Sequence, residues 1–192
     1  MTKIWSLGFA LFFGLGFASA QSSFRFRSSE SLGISNGQLG GFVQVQAING
    51  IAYGPWFLGA GAGLDYYRFR SVPLFLSAGR DLWLTKKEGL GLFLNGGTNL
   101  PWLQGGGSPN TGTITLSGGE YWSGGISYIL RLGQHTREAV FFSVGYEVKK
   151  MGEHAVWKTL SPCYNMAGCP IDQTVDYQYL NRILFLAAGY RF

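Results

Sequence analysis

A closed eight-stranded antiparallel transmembrane β-barrel, all-β in class, is predicted from this sequence by three observations. Apolar side chains recur at every second position through most of the chain, opposed by small or polar ones, the pattern of a strand with two unlike faces. Charged residues make up only 13%, against roughly 25% in soluble proteins, while aromatics reach 16% and glycine 30 positions. Beyond the amino-terminal stretch, no segment holds the ~18 consecutive apolar residues of a membrane helix. Hydrophobicity is dispersed in alternation, as a transmembrane strand hides it.

The amino-terminus reads as an export signal. Lys3 supplies a positive region, residues 4–17 are almost wholly apolar, and Ala18-Ser19-Ala20 is a small-x-small cleavage site;. A cleaved signal peptide over residues 1–20 and one barrel domain over residues 21–192 are expected. No cysteine lies in residues 18–24, so lipoprotein processing is not expected.

Each strand is justified by its own alternation. Residues 24–34 begin well, with Phe24 and Phe26 opposite Arg25 and Arg27. Glu30 then falls on the apolar face, so a slip or bulge near Ser28 is expected. Val43, Val45, Ala47, Ile51 and Tyr53 form the next face, continuing past the competing hairpin site Asn49-Gly50 to a turn at residues 53–55. Leu58, Ala60, Ala62, Leu64 and Tyr66 follow, opposite Phe57, Gly59, Gly61, Gly63 and Asp65. Leu74, Leu76, Ala78 and Leu82 oppose Phe75, Ser77, Gly79 and Asp81. After a polar turn at residues 85–89, Leu92, Leu94, Thr98 and Leu100 oppose Phe93, Asn95, Gly97 and Asn99. Residues 101–118 read as a Gly- and Pro-rich loop. Trp122, Ile126, Tyr128, Leu130 and Leu132 mark a further face, opposite Ser123, Gly125, Ser127 and Arg131. Val140, Phe142, Val144, Tyr146 and Val148 oppose Ser143, Gly145, Glu147 and Lys149. Leu184, Leu186, Ala188, Tyr190 and Phe192 end the chain.

Loop lengths support the count. With the last strand ending in the periplasm, the connections at residues 53–55, 85–88 and 133–138 are inner and short. The two longest, at residues 101–118 and 152–174, are outer, as such barrels arrange them; residues 68–71 must be a short outer turn.

Eight strands enclose only enough room for side chains. Asp65, Asp81, Arg131, Glu147, Lys149 and Arg191 are expected inside as a mutually neutralising network rather than an ion pathway. Gly59, Gly61 and Gly63 lie at period two in a strand, not ahead of a helix, so no dinucleotide site is read. No cofactor motif is found. Cys163 and Cys169 share the longest outer loop, and an oxidising compartment favours a disulfide between them. A metal site is not expected, because only His154 is near them. A hydrolase would need a nucleophile and a base; His154, Ser161 and either Asp172 or Asp176 could be imagined in such roles, but no motif joins them, and His135 belongs to an inner turn. Trp102, Trp122, Trp157 and Tyr164 lie in or beside the outer loops, as interfacial belt residues or a binding surface. The net charge of +5 is scattered, so nucleic acid is not an expected partner.

The closing Gly189-Tyr190-Arg191-Phe192 resembles the carboxy-terminal signal strand of bacterial outer-membrane β-barrels. That resemblance implies that Tyr190 and Phe192 form the handle gripped by the barrel-assembly machinery. Gly63-Leu-Asp-Tyr-Tyr-Arg-Phe-Arg-Ser-Val-Pro-Leu-Phe75 is similar to segments of small barrels from Bacteroidota-type bacteria, a family without an assigned activity. The resemblance implies the fold and the outer membrane of a Gram-negative bacterium, with outer-membrane lipid around the wall; a larger envelope complex is a separate candidate partner. The expected function is a structural or surface/partner-interaction role without an open pore. A lipid-acting outer-membrane enzyme is the alternative. A soluble carrier of a lipid-like ligand would need its apolar faces inward, which the polar opposite faces disfavour.

Overall fold

The computed structural model describes residues 24–38, 40–67, 69–102, 113–133, 138–158 and 172–192. The signal-peptide expectation and both cysteines therefore lie outside the described residues. Among the described residues nine strands are formed: β1 (Arg25–Gly37), β2 (Gly40–Tyr53), β3 (Trp56–Asp65), β4 (Ser71–Trp83), β5 (Glu88–Pro101), β6 (Thr113–Ser117), β7 (Gly119–Arg131), β8 (Ala139–Lys158) and β9 (Asp172–Arg191). All pairings are antiparallel. Neighbours in sequence pair from β1 to β5, β5 pairs with β7, β7 with β8, and β8 with β9. β9 then returns to β1, with Ser29 opposite Arg191 and Asn36 opposite Leu184. The wall is a closed barrel of eight strands.

β6 is the outward continuation of β7 rather than a ninth stave. Among the described residues it pairs only with β8, Ser117 opposite Gly152, whereas β7 meets β8 with Tyr121 opposite Lys149. Residues 118–120 thus face residues 150–151, and the extra residue is a bulge. Gly118 and Gly119 suit it: a Cβ on Gly119 would lie 2.6 Å from the Lys150 carbonyl oxygen. The bulge reverses the parity of the two faces, and this is why residues 113–117 were expected as part of a loop. The other long outer loop is also shorter than expected, because residues 152–158 and 172–174 are strand.

No slip occurs in β1. Its register runs unbroken from Arg25 opposite Ala52 to Gly37 opposite Gly40, and β9 holds the other edge. Glu30 therefore does sit on the outward face, beside Tyr190 and Ala47. It is two residues from the level of Phe192, which exchanges backbone hydrogen bonds of 3.0 Å with Ser28. So close to the interface, a carboxylate can reach water.

Sequence chemistry shapes the inner turns. Gly54 takes a positive φ of 57°, which glycine adopts without strain. The Thr85 hydroxyl accepts hydrogen bonds from the Lys87 and Glu88 amides. The outward faces carry exposed Leu58, Leu76, Ile126, Val144 and Leu186. Aromatics cluster towards the two ends: Tyr53, Trp56, Trp83, Tyr128, Tyr190 and Phe192 near the inner turns, Tyr66, Trp102, Trp122 and Tyr146 near the outer rim. An apolar band between aromatic girdles is the surface a bilayer requires.

Candidate functional site

The inward faces pack rings into glycine gaps. A Cβ on Gly61 would lie 2.5 Å from the Phe75 ring, and one on Gly145 would lie 2.5 Å from that of Phe185. Small inward residues thus let Phe57, Phe75 and Phe185 fill a narrow lumen, where all three are buried;.

In the outer half, Lys149 on β8 pairs with Asp65 on β3 across the lumen and with Glu147 on its own strand. All three are almost fully buried. Asp65 also accepts a hydrogen bond from the Tyr67 amide at 2.6 Å. Tyr121 is fully buried, and its hydroxyl lies 3.2 Å from Glu147 and 3.1 Å from Ser123 while accepting from Gln46 at 3.2 Å. Asn95 donates to Ser123 at 2.9 Å.

In the periplasmic half, Arg27 and Arg191 donate to one oxygen of Asp81, at 2.7 and 2.9 Å. Arg27 also lies over the Phe57 ring at 3.9 Å, and Arg191 over that of Phe141 at 5.6 Å. A cavity of about 70 Å³ lies here, lined by these three charged residues and by serines including Ser127 and Ser143.

The six residues read as one network therefore divide. Asp65, Glu147 and Lys149 meet in one cluster, Asp81 and Arg191 in another. Arg131 joins neither: it lies over the Trp83 ring at 3.9 Å and donates to the Lys86 carbonyl at 3.4 Å, at the inner rim. Arg27 and Tyr121 are lumen residues that sequence reading did not single out; both stand at inward positions of alternating strands, which is the signal that could have found them.

Above the wall, β6, β8 and β9 continue as a three-stranded sheet. His154 meets Asp176 at 2.5 Å, Nδ1 to Oδ1. Thr115 is opposite His154 on the third strand, so the three residues form a row across the sheet. Ser161 lies outside the described residues, as do His135 and Tyr164. The backbone of Asp172 lies in β9, opposite Lys158. Trp102 and Trp122 are exposed on the outer flank. Among the described residues, no cluster of three or more metal-ligating side chains is present.

A bilayer-matched apolar wall, a side-chain-filled lumen, short inner turns and a sheet beyond the outer rim define a small transmembrane β-barrel of the outer-membrane type. No family model matches this chain, and no curated protein matches it by sequence. Among solved structures, Neisserial surface protein A is similar in fold, with a TM-score of 0.52 at 13% identity, covering 90% of this chain and 98% of that one. The outer membrane protein OprG from Pseudomonas aeruginosa aligns at 13% identity over 88% and 95% of the two chains, with a TM-score of 0.45. What this chain shares with Neisserial surface protein A is the fold, a small closed antiparallel β-barrel.

Proposed function

We propose that this chain is an integral outer-membrane barrel with a structural or surface/partner-interaction role and no open pore. The observation that carries the interaction reading is the outer sheet. β8 and β9 are each 20 residues long, about twice the ~9–11 that cross a membrane. From residue 172 to residue 183, β9 has β8 on one side and no strand partner on the other among the described residues. Exposed Tyr177 and Leu180 lie on this segment. Unpaired strand edges invite pairing with another chain, and proteins rarely leave them bare without a use or a defence. The buried cluster in the outer half supports the absence of a pore.

The test is photo-crosslinking from Gln178 and Tyr177 in living cells, followed by purification in mild detergent. A discrete adduct with another envelope protein is the expected outcome. Crosslinks to lipid alone, or steady single-channel currents from the pure barrel in planar bilayers, would overturn the reading. The narrower kinship with Bacteroidota-type barrels belongs to this proposal, as do the handle formed by Tyr190 and Phe192 and the Cys163–Cys169 disulfide; each rests on sequence.

One observation favours the lipid-acting enzyme as a second reading. With Nδ1 of His154 held by Asp176, Nε2 is left to act as a base, and Thr115 stands opposite. Orientation of a base by a carboxylate is a recurring element of acyl-transfer sites. Hydrolysis of phospholipid or lipid A esters that disappears in His154→Ala would establish it; equal turnover by the variant would remove it.

A further inference from the structure

Charge does not balance within the periplasmic cavity. Among its described lining residues only Arg27, Arg191 and Asp81 are charged, which leaves one net positive charge on that set. Each guanidinium gives one nitrogen to the same Asp81 oxygen, and the buried Nε atoms of Arg27 and Arg191 have no hydrogen-bond partner among the described residues. Arginine cannot shed its proton, so the excess cannot vanish by neutralisation. A buried unpaired charge is costly. The arginine side chains are 12% and 13% exposed, so the mouth is narrow but not shut.

We infer that this cavity is a binding site for one small monovalent inorganic anion of the halide class. A single negative charge neutralises the site, which a divalent anion would overshoot. The volume of about 70 Å³ corresponds to roughly five water-sized positions, room for a partly hydrated halide but not for a lipid headgroup. Donors are at hand. The guanidinium N–H groups are positive, and Ser127 and Ser143 lie 2.7 Å apart, so that one hydroxyl proton of the pair is left to donate into the cavity. The opposite end of the lumen is unsuited to an anion, since Asp65 and Glu147 outnumber Lys149 there. The site therefore holds its ion and does not pass it on.

The experiment is a bromide titration of the folded barrel in detergent, read by bromide NMR line width at constant ionic strength with gluconate as the balancing anion. Folding of each variant is verified by heat-resistant gel migration. Saturable broadening is expected for the native chain and its loss in Arg191→Gln, which leaves the site neutral. Asp81→Asn raises the charge to two and should bind bromide several-fold more tightly. Should Arg191→Gln fail to fold, Asp81→Asn decides alone. Broadening that never saturates, or an Asp81→Asn variant that binds no better than the native chain, overturns the proposal. Crystals soaked in bromide should show an anomalous peak between Arg27 and Arg191; peaks only at the surface overturn it too.

Discussion

The two halves of the lumen are built on opposite charge and opposite packing. The outer half holds two carboxylates and one ammonium with no room between them; the periplasmic half holds two guanidiniums, one carboxylate and a cavity. A cation entering from outside meets its attraction early and the guanidiniums next. An anion entering from the periplasm meets the same sequence in reverse. Neither sign finds a downhill path, a reversal that supports the proposed absence of conduction. Sealed charge must be satisfied by the protein alone, whereas vented charge can borrow from solvent.

The largest effect should come from breaking the sealed half. Lys149→Ala leaves Asp65 and Glu147 buried without their cation, and breaking such a cluster costs about 3–5 kcal/mol. Urea-driven unfolding from lipid vesicles measures it. A loss below 1 kcal/mol would mean that the outer cluster is as open to water as the inner one.

The wall that confines both halves comes next. Leu186 is an outward residue opposite Val144 and far from either end, so Leu186→Arg should cost roughly 2–4 kcal/mol. Spin labels at positions 144 and 186 should be accessible to oxygen in the bilayer, and labels at positions 65 and 147 should not.

Asp81→Asn sharpens the contrast, since solvent reaches this site. A loss of about 1–2 kcal/mol in gluconate is expected, from a buried charged hydrogen-bonding partner removed, with recovery in bromide. A variant as stable as the native chain in gluconate and bromide alike would show that water, not an ion, does the compensating.

The smallest effect should follow reduction of the disulfide proposed between Cys163 and Cys169. So short a ring removes little entropy from the unfolded chain beside what barrel closure fixes. Heat-resistant migration should persist, while protease cutting between residues 152 and 174 should rise.

The wall was legible because lipid and lumen impose opposite chemistry on alternate side chains; the faces of the seven membrane-crossing strands after β1 could be read by counting in twos. That signal fades where both faces meet water. β6, Thr113-Ile-Thr-Leu-Ser117, alternates plainly, but a glycine bulge shifts it out of phase with β7 and the surrounding glycines suggest a loop. Glu30 misled in the other direction, since a charge on the lipid face argues for a slip unless its height in the membrane is known. The lumen was legible only in part. Parity gives which residues point inward, but closure of the sheet decides who meets whom, and Asp65 and Lys149 are 84 positions apart. Arg131 shows the limit: its parity is inward, but it stands at the rim, where Trp83 claims it.

The unaccompanied stretch of β9 from residue 172 to residue 183 has a consequence in isotope exchange. In an antiparallel ladder, successive amides point alternately to the two sides. With β8 on one side only, every second amide here is bonded and the others face outward. In deuterated water this segment should give a slow–fast alternation that disappears beyond Leu184, where β1 takes the second side. The fast set is also the set that a docking strand would protect, so the same six amides report the bare protein and the occupied one.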